Sequence, residues 1–320
     1  MRQLIITRSL NSGGLELSIF VEHRALWSGL SSEADEAEIG VLGIPFDNAA
    51  SWRGGARHAP QRLRTLTPNL VYYTEEGTLL KVRVKDYGDL EMDLNWERFF
   101  DTVERAAATV LERSHKLTVF LGGDHSVGIP LFKAFAKHCR GAVGYIQFDS
   151  HPDLANEYEG HPWSHATTAR RNVEQPNLVP GHLAFVGLRC FLTEELAFYA
   201  AHPEIGWHTA RDLYRRGIET VAKEVVTQLK DVEAVYVSLD IDGLDPSCAP
   251  GTGTPEHGGP TTRECLEFLR IIFADLPVRA LDIVEVSPPL DISDMTSLAA
   301  LKVLYEVFGF VQQKEGVTSG

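Results

Sequence analysis

The chain has 320 residues, 44% of them hydrophobic, with 44 acidic against 30 basic side chains and a formal charge of −14. That length and apolar content suffice for one large α/β domain or two smaller ones. The acidic excess argues against nucleic acid or an anionic membrane as partner, since both are held by a basic surface, and it suits a small cation.

The four cysteines, Cys139, Cys190, Cys248 and Cys265, are scattered without a C-x-x-C pair and fit a reducing cytoplasm. The stretch MRQLIITRSLNSGGLELSIF interrupts its apolar residues with glycines and polar groups, so it does not read as a signal peptide. No later run reaches membrane-spanning length. A cytoplasmic protein is expected.

In chain order, residues 1–37 end on the acidic SSEADEAE and read as an extension, packed outside the domain of 38–320 or on a neighbouring subunit. Short apolar runs predict strands at 38–44, 81–87, 116–121, 142–148, 183–188, 204–208, 234–239 and 279–286. Helical patterns fall at 96–113, 128–140, 218–230, 262–274 and 295–312. Pro60 and Pro130 stand where a first helical turn tolerates a missing N–H. Strands alternating with helices imply a mostly parallel sheet covered on both faces. In such sheets ligands bind beyond the carboxyl ends of the strands, which is where chemistry is to be sought.

Three strand ends carry it. GGDHS (122–126) puts His125 after a glycine turn; alone, His125 and Asp124 are ordinary loop residues and Ser126 a helix cap. DSHPD (149–153) sets Asp149, His151 and Asp153 at alternate positions, pointing one way if extended. A polar turn is the plain alternative, but close carboxylates repel unless a cation or proton relieves them. DIDGLDP (240–246) repeats the device with Asp240 and Asp242, and lacks the spacing and terminal Glu of an EF-hand loop. Together these ends offer His125, His151 and the four aspartates 149, 153, 240 and 242, too many ligands for one ion and a natural number for two. Oxygen-rich, thiolate-free donors suit Mn²⁺, with Ni²⁺, Co²⁺ or Fe²⁺ open. Two divalent ions would acidify a water held between them.

These residues resemble the ureohydrolase family of arginases, agmatinases and related guanidino-acid hydrolases. The resemblance lies in GGDHS, in DSHPD, in SLDIDGLDPSCAPGTGTPEHGG (238–259) and in DIVEVSPPLD (282–291), while GIPFDNAASWRGGARHAPQRLR (43–64) is similar to the agmatinase branch. It covers nearly everything after residue 40. It implies a single three-layer α/β/α domain on an eight-stranded parallel sheet. It further implies two Mn²⁺ ions bridged by Asp149 and Asp240, with His125 and Asp153 completing one set and His151 and Asp242 the other. His165 matches a proton-shuttling histidine, Glu285 the carboxylate that receives the guanidinium, and Thr254 a threonine near the substrate. Outside the family each has a plain role: a loop hydrogen bond, an ion pair, a turn. A trimer or hexamer is the family's usual assembly.

Departures from the pattern bear on the substrate. Ser150 stands where the family has Ala, and Ala166 follows His165 where Gly is common, restricting φ beside the substrate. Ala155 replaces the Asn that arginases use to read an amino acid, which argues against arginine. The loop NEYEGHPWS (156–164) offers Glu157, Tyr158, Glu159, His161 and Trp163 as a tail pocket, with His161 and Trp163 the residues set against substrate, or as a solvated rim. The expected activity is agmatinase-like release of urea and an amine from a small guanidino compound. A guanidino acid, guanidine or an alkylguanidine is the alternative substrate, and a non-catalytic subunit that modulates a partner is the alternative of another class.

Overall fold

The computed structural model describes residues 26–318 apart from residue 35, with side chains as far as Lys314. Strands β1 (Ile39–Gly43), β2 (Val84–Asp89), β3 (Leu117–Leu121) and β4 (Val143–Phe148) share one sheet with β5 (Leu183–Leu188), β6 (Gly206–Thr209), β7 (Ala234–Asp240) and β8 (Val278–Val284). The order is β2-β1-β3-β8-β7-β4-β5-β6 and every pairing is parallel. All eight predicted strands are present; the largest shift is in β2, which begins at Val84 rather than at residue 81.

Parallel strands are buried on both faces and therefore read as unbroken apolar runs. Strands β3 and β7 are buried at every position. Alternate residues feed two cores. Val235, Val237 and Leu239 of β7 join one core with Val225 of α7 (Ile218–Leu229), Leu269 of α8 (Thr262–Asp275) and Leu304 of α9 (Met295–Thr318). Tyr236 joins the other, with Phe99 and Val103 of α2 (Trp96–Leu111) and Phe132 and Phe135 of α3 (Gly128–His138). The result is helices, sheet, helices.

Local chemistry fixes the helix starts. The Asn95 side chain accepts the Arg98 N–H to cap α2, and Thr261 and Glu264 form a reciprocal capping box at α8. The short helices α1 (Ala59–Leu66), α4 (Thr168–Asn172), α5 (Thr193–Ala201) and α6 (Ala210–Arg216) are absent from the predicted elements, although Pro60 does sit in the first turn of α1. In α5 only Glu195 is buried, and in α6 only Ala210 and Leu213, so neither carries an apolar period to read.

Of the predicted extension, residues 1–25 lie outside the described residues. Beyond them Trp27 is fully buried, its indole N–H donating to Asp86 at 2.8 Å, and Ser31 forms a parallel bridge with Val84 at the sheet edge. No helix among the described residues is long and apolar enough to cross a membrane.

The strand order positions the site. Strands β8 and β7 lie between β3 and β4, so the loops leaving all four meet at the middle of the sheet's carboxyl edge.

Candidate metal centre and active site

On the face covered by α2 and α3, polar residues climb in two-residue steps toward that edge. In β4 the series is Tyr145, Gln147 and then Asp149 just beyond the strand; in β7 it is Tyr236, Ser238 and Asp240. The two tyrosines stack with ring centroids 5.8 Å apart. Above them Ser238 Oγ donates to Asp282 Oδ1 at 2.7 Å, and Tyr236 donates to Asp282 Oδ2 at 2.7 Å.

His125 opens the turn after β3, where the Asp124 side chain accepts the Ser126 N–H. Its imidazole is buried, with Nε2 2.9 Å from Ser238 Oγ. Because Ser238 gives its proton to Asp282, its oxygen must accept the Nε2 proton, and this assigns the tautomer. Nδ1 is left with a lone pair. Around it stand Asp153 Oδ2 at 2.8 Å and Asp149 Oδ2 and Asp240 Oδ2 at 3.2 Å, yet none is aligned for a hydrogen bond. Four electron-rich atoms converging in a buried space repel one another unless a cation sits among them.

A second group adjoins the first. His151 Nδ1 lies 3.2 Å from Asp242 Oδ2 and 3.6 Å from Asp149 Oδ1. Asp149 therefore turns one oxygen to each imidazole. The sets His125–Asp149–Asp240 and Asp149–His151–Asp242 each bring their donor atoms within 4.8 Å of one another. Supporting groups hold the donors in place: Gln147 Nε2 donates to Asp149 Oδ2 at 2.8 Å and Asp153 Oδ2 at 3.1 Å. Ser150 Oγ donates to Asp242 Oδ1 at 2.7 Å. Such second contacts orient ligands in metal sites. All six sequence-predicted metal-binding residues thus gather in one place, and the donor set fits two divalent ions.

The electrostatics agree. Burial pushes Asp153 up to about 6, with the Asp149 charge adding to it. Burial also drives Asp240 well above the usual carboxylate range, aided by Asp242 and Asp149. Asp149 goes the other way, since the imidazoles of His125 and His151 outweigh its burial. For His125, burial favours the neutral form, but Asp149, Asp153 and Asp240 outweigh it and draw a proton onto the ring. A proton there is the substitute for a cation. Asp153 (φ 50°) and Glu285 (φ 61°) both adopt left-handed backbone, a cost of about 1–2 kcal/mol each that the surrounding contacts offset.

Glu285 follows β8. Its N–H donates to Gly123 O at 2.8 Å and its Oε1 accepts the His125 N–H at 2.8 Å, which fixes the carboxylate beside the acidic hollow. Burial and then the Asp124 charge push it well above its ordinary range. His165 Nδ1 lies 3.9 Å from Glu285 Oε1, and its Nε2 lies 3.1 Å from Ser51 Oγ. Burial, helped by the His151 and His125 charges, lowers His165 to about 4, so it is neutral at pH 7. Thr254 Oγ1 donates to Asp242 Oδ2 at 3.0 Å. Ala166 lies within the 3₁₀ turn His165–Thr167 and is not among the positive-φ residues, so the turn accepts its methyl without a left-handed backbone.

His161 and Trp163 both make ring contacts with α2. His161 packs edge-on against Trp96 with centroids 4.0 Å apart, and Trp163 lies over Phe100 at 5.9 Å, both over α2. From the same loop it is Tyr158 whose ring meets His165, at 5.8 Å.

The arginase family model matches residues 37–309. The chain belongs to the arginase family. This arginase-family hydrolase is 35% identical over 277 residues to an agmatinase of Bacillus anthracis, across 85% of this chain and 91% of the relative. It is 32% identical over 294 residues to a guanidinobutyrase of Pseudomonas aeruginosa, across 86% and 87%. The crystal structure of an agmatine ureohydrolase of Thermoplasma volcanium superposes with a TM-score of 0.81 at 29% identity, covering 93% of this chain and 96% of that one. This chain is a ureohydrolase of the agmatinase-like branch, acting on guanidino groups.

Sequence reasoning missed Gln147, Ser238, Asp282, Ser51 and the contact made by Tyr158. A signal for the first two was present: each is a polar residue in an otherwise apolar strand, two positions before a predicted ligand. Ser51 carries no such mark, because a loop folded back from the other end of the sequence brings it to His165.

Proposed function

We propose that His125, Asp149, Asp153 and Asp240 hold one divalent cation and that Asp149, His151, Asp240 and Asp242 hold a second. Mn²⁺ is the first choice, with Ni²⁺ and Co²⁺ as substitutes. The proposed reaction is hydrolysis of the guanidino group of a small cationic compound of the agmatine type, releasing urea and an amine. One observation carries this reading: the His125 lone pair faces three carboxylate oxygens with no aligned hydrogen bond, next to the buried Glu285 carboxylate.

A bound divalent pair acidifies water near neutral pH and draws charge from the reacting centre. The chain's own residues do the rest. Glu285, destabilised as an anion by burial, gains from a planar cation that it can bind through charge-assisted hydrogen bonds. Thr254 steadies Asp242. His165, neutral at pH 7 and fixed by Ser51, takes the proton that attacking water releases and returns it to the nitrogen of the departing amine. Asp153 and Asp149 are kept in line by the Gln147 amide.

The test is urea release by purified, Mn²⁺-loaded protein from agmatine, 4-guanidinobutyrate, 3-guanidinopropionate, arginine and guanidine. Agmatine is the expected best substrate and arginine the poorest; silence across the panel sinks the reading. The guanidinobutyrase relative makes the guanidino acid the second choice within the same reaction. A homo-oligomer, trimer or hexamer, belongs to the same proposal, and sedimentation checks it.

A further inference from the structure

A third group of donors stands beside the acidic hollow. His151, Cys190 and Glu256 bring an imidazole nitrogen, a thiol sulfur and a carboxylate oxygen within 4.8 Å of one another. All three are partly exposed, unlike the buried donors around His125, and Cys190 is a free thiol. The segments that carry them are tied together. The N–H groups of Arg189 and Cys190 donate to Ser150 O at 2.9 and 3.1 Å, which fixes the thiol segment to the residue preceding His151. The Arg189 guanidinium donates to Glu256 O at 3.1 and 2.8 Å, which fixes the carboxylate segment to the thiol segment. The three segments are therefore held beside one another.

Their chemistry differs from that of the acidic centre. Sulfur, nitrogen and oxygen in one small set suit a thiophilic, tetrahedral ion, with water in the fourth position. We propose that His151, Cys190 and Glu256 form a distinct site for an ion such as Zn²⁺ or Cd²⁺, and that filling it disables catalysis by withdrawing His151 from the acidic centre. A neutral imidazole has one lone pair, so serving an ion on each side requires loss of its N–H proton. The ring therefore serves one ion at a time near neutral pH. Cys190 releases its thiol proton to solvent as it ligates. The inhibition rests on the proposed role of His151 in the divalent centre; the ion site itself does not.

The experiment titrates metal-free protein with Cd²⁺ while recording the ultraviolet thiolate-to-cadmium charge-transfer band and the alkylation rate of Cys190. Ligation is expected to give a saturable band and to protect Cys190 from alkylation. Cys190→Ser removes the band, Cys248→Ser at another partly exposed thiol keeps it, and Glu256→Gln weakens binding by about tenfold. In Mn²⁺-loaded enzyme, Cd²⁺ inhibits urea release, whereas Cys190→Ser turns over at the parent rate and needs about tenfold more Cd²⁺ for the same inhibition. A band that survives Cys190→Ser, or no band at all, overturns the site. A band without inhibition overturns the switch and leaves the site standing. Absence of urea release from every guanidine strikes at the proposed function instead, and the band still decides the site.

Discussion

Ser238 stands 2.9 Å from His125 Nε2 and gives its own proton to Asp282, so the imidazole is held with its lone pair toward the acidic hollow. This contact fixes both tautomer and ring orientation. Ser238→Ala should keep the fold and weaken binding of the divalent ion by about 10–100-fold. Competition against a calibrated chelator measures it, and an unchanged affinity would count against the tautomer assignment.

His165 is kept neutral by burial and by the neighbouring imidazoles, with Ser51 and Glu285 on either side of the ring. Its proposed part is in proton transfer. His165→Ala should therefore lower kcat by about 10²–10⁴-fold with little change in KM, and added imidazole should restore part of the rate. A variant that loses substrate affinity and keeps kcat would point to a binding role instead.

Glu285 receives the guanidinium in this account. Glu285→Gln keeps the shape and the bond accepted from the His125 N–H but removes the charge. The expected result is a rise in KM and a fall in kcat/KM of about 10–100-fold. Parent-like kinetics would remove Glu285 from the site.

A stability prediction rests far from the chemistry. Arg64 clasps Asp86 through Nε and Nη2 at 2.8 and 2.9 Å, and the Trp27 indole adds a third bond at 2.8 Å. Burial alone would raise Asp86, but these partners hold it below its usual range. Asp86→Ala removes two of the Arg64 hydrogen bonds and leaves the Trp27 indole N–H unpaired, while Asp89 still pairs with the guanidinium. It should therefore cost about 1–3 kcal/mol in denaturant unfolding at pH 7. The folded pKa lies below the unfolded one, so the stabilisation is full above about pH 4 and is lost as pH falls through the folded value. The gap between parent and variant should therefore narrow only in strong acid. A gap that narrows between pH 7 and 5 would assign the effect to another group.

Much of this was legible in the sequence because burial and alternation leave simple marks. The runs AVGYIQF and AVYVSL announced β4 and β7, and DSHPD and DIDG announced the acidic and imidazole groups that cluster at their ends. The polar layer beneath them was less visible, since Gln147 and Ser238 gain meaning only once β4 and β7 are known to be neighbours. His161 and Trp163 also pack their rings on Trp96 and Phe100, a contact that sequence distance from α2 hid. The short helices α5 and α6 stayed hidden for want of an apolar face.

The most direct test of the two-cation centre is anomalous diffraction from a crystal of Mn²⁺-loaded protein, collected on either side of the manganese edge. The account predicts two peaks in the hollow between His125 and His151, with Asp149 touching both. A hollow without peaks, or a single ion remote from Asp149, would contradict it.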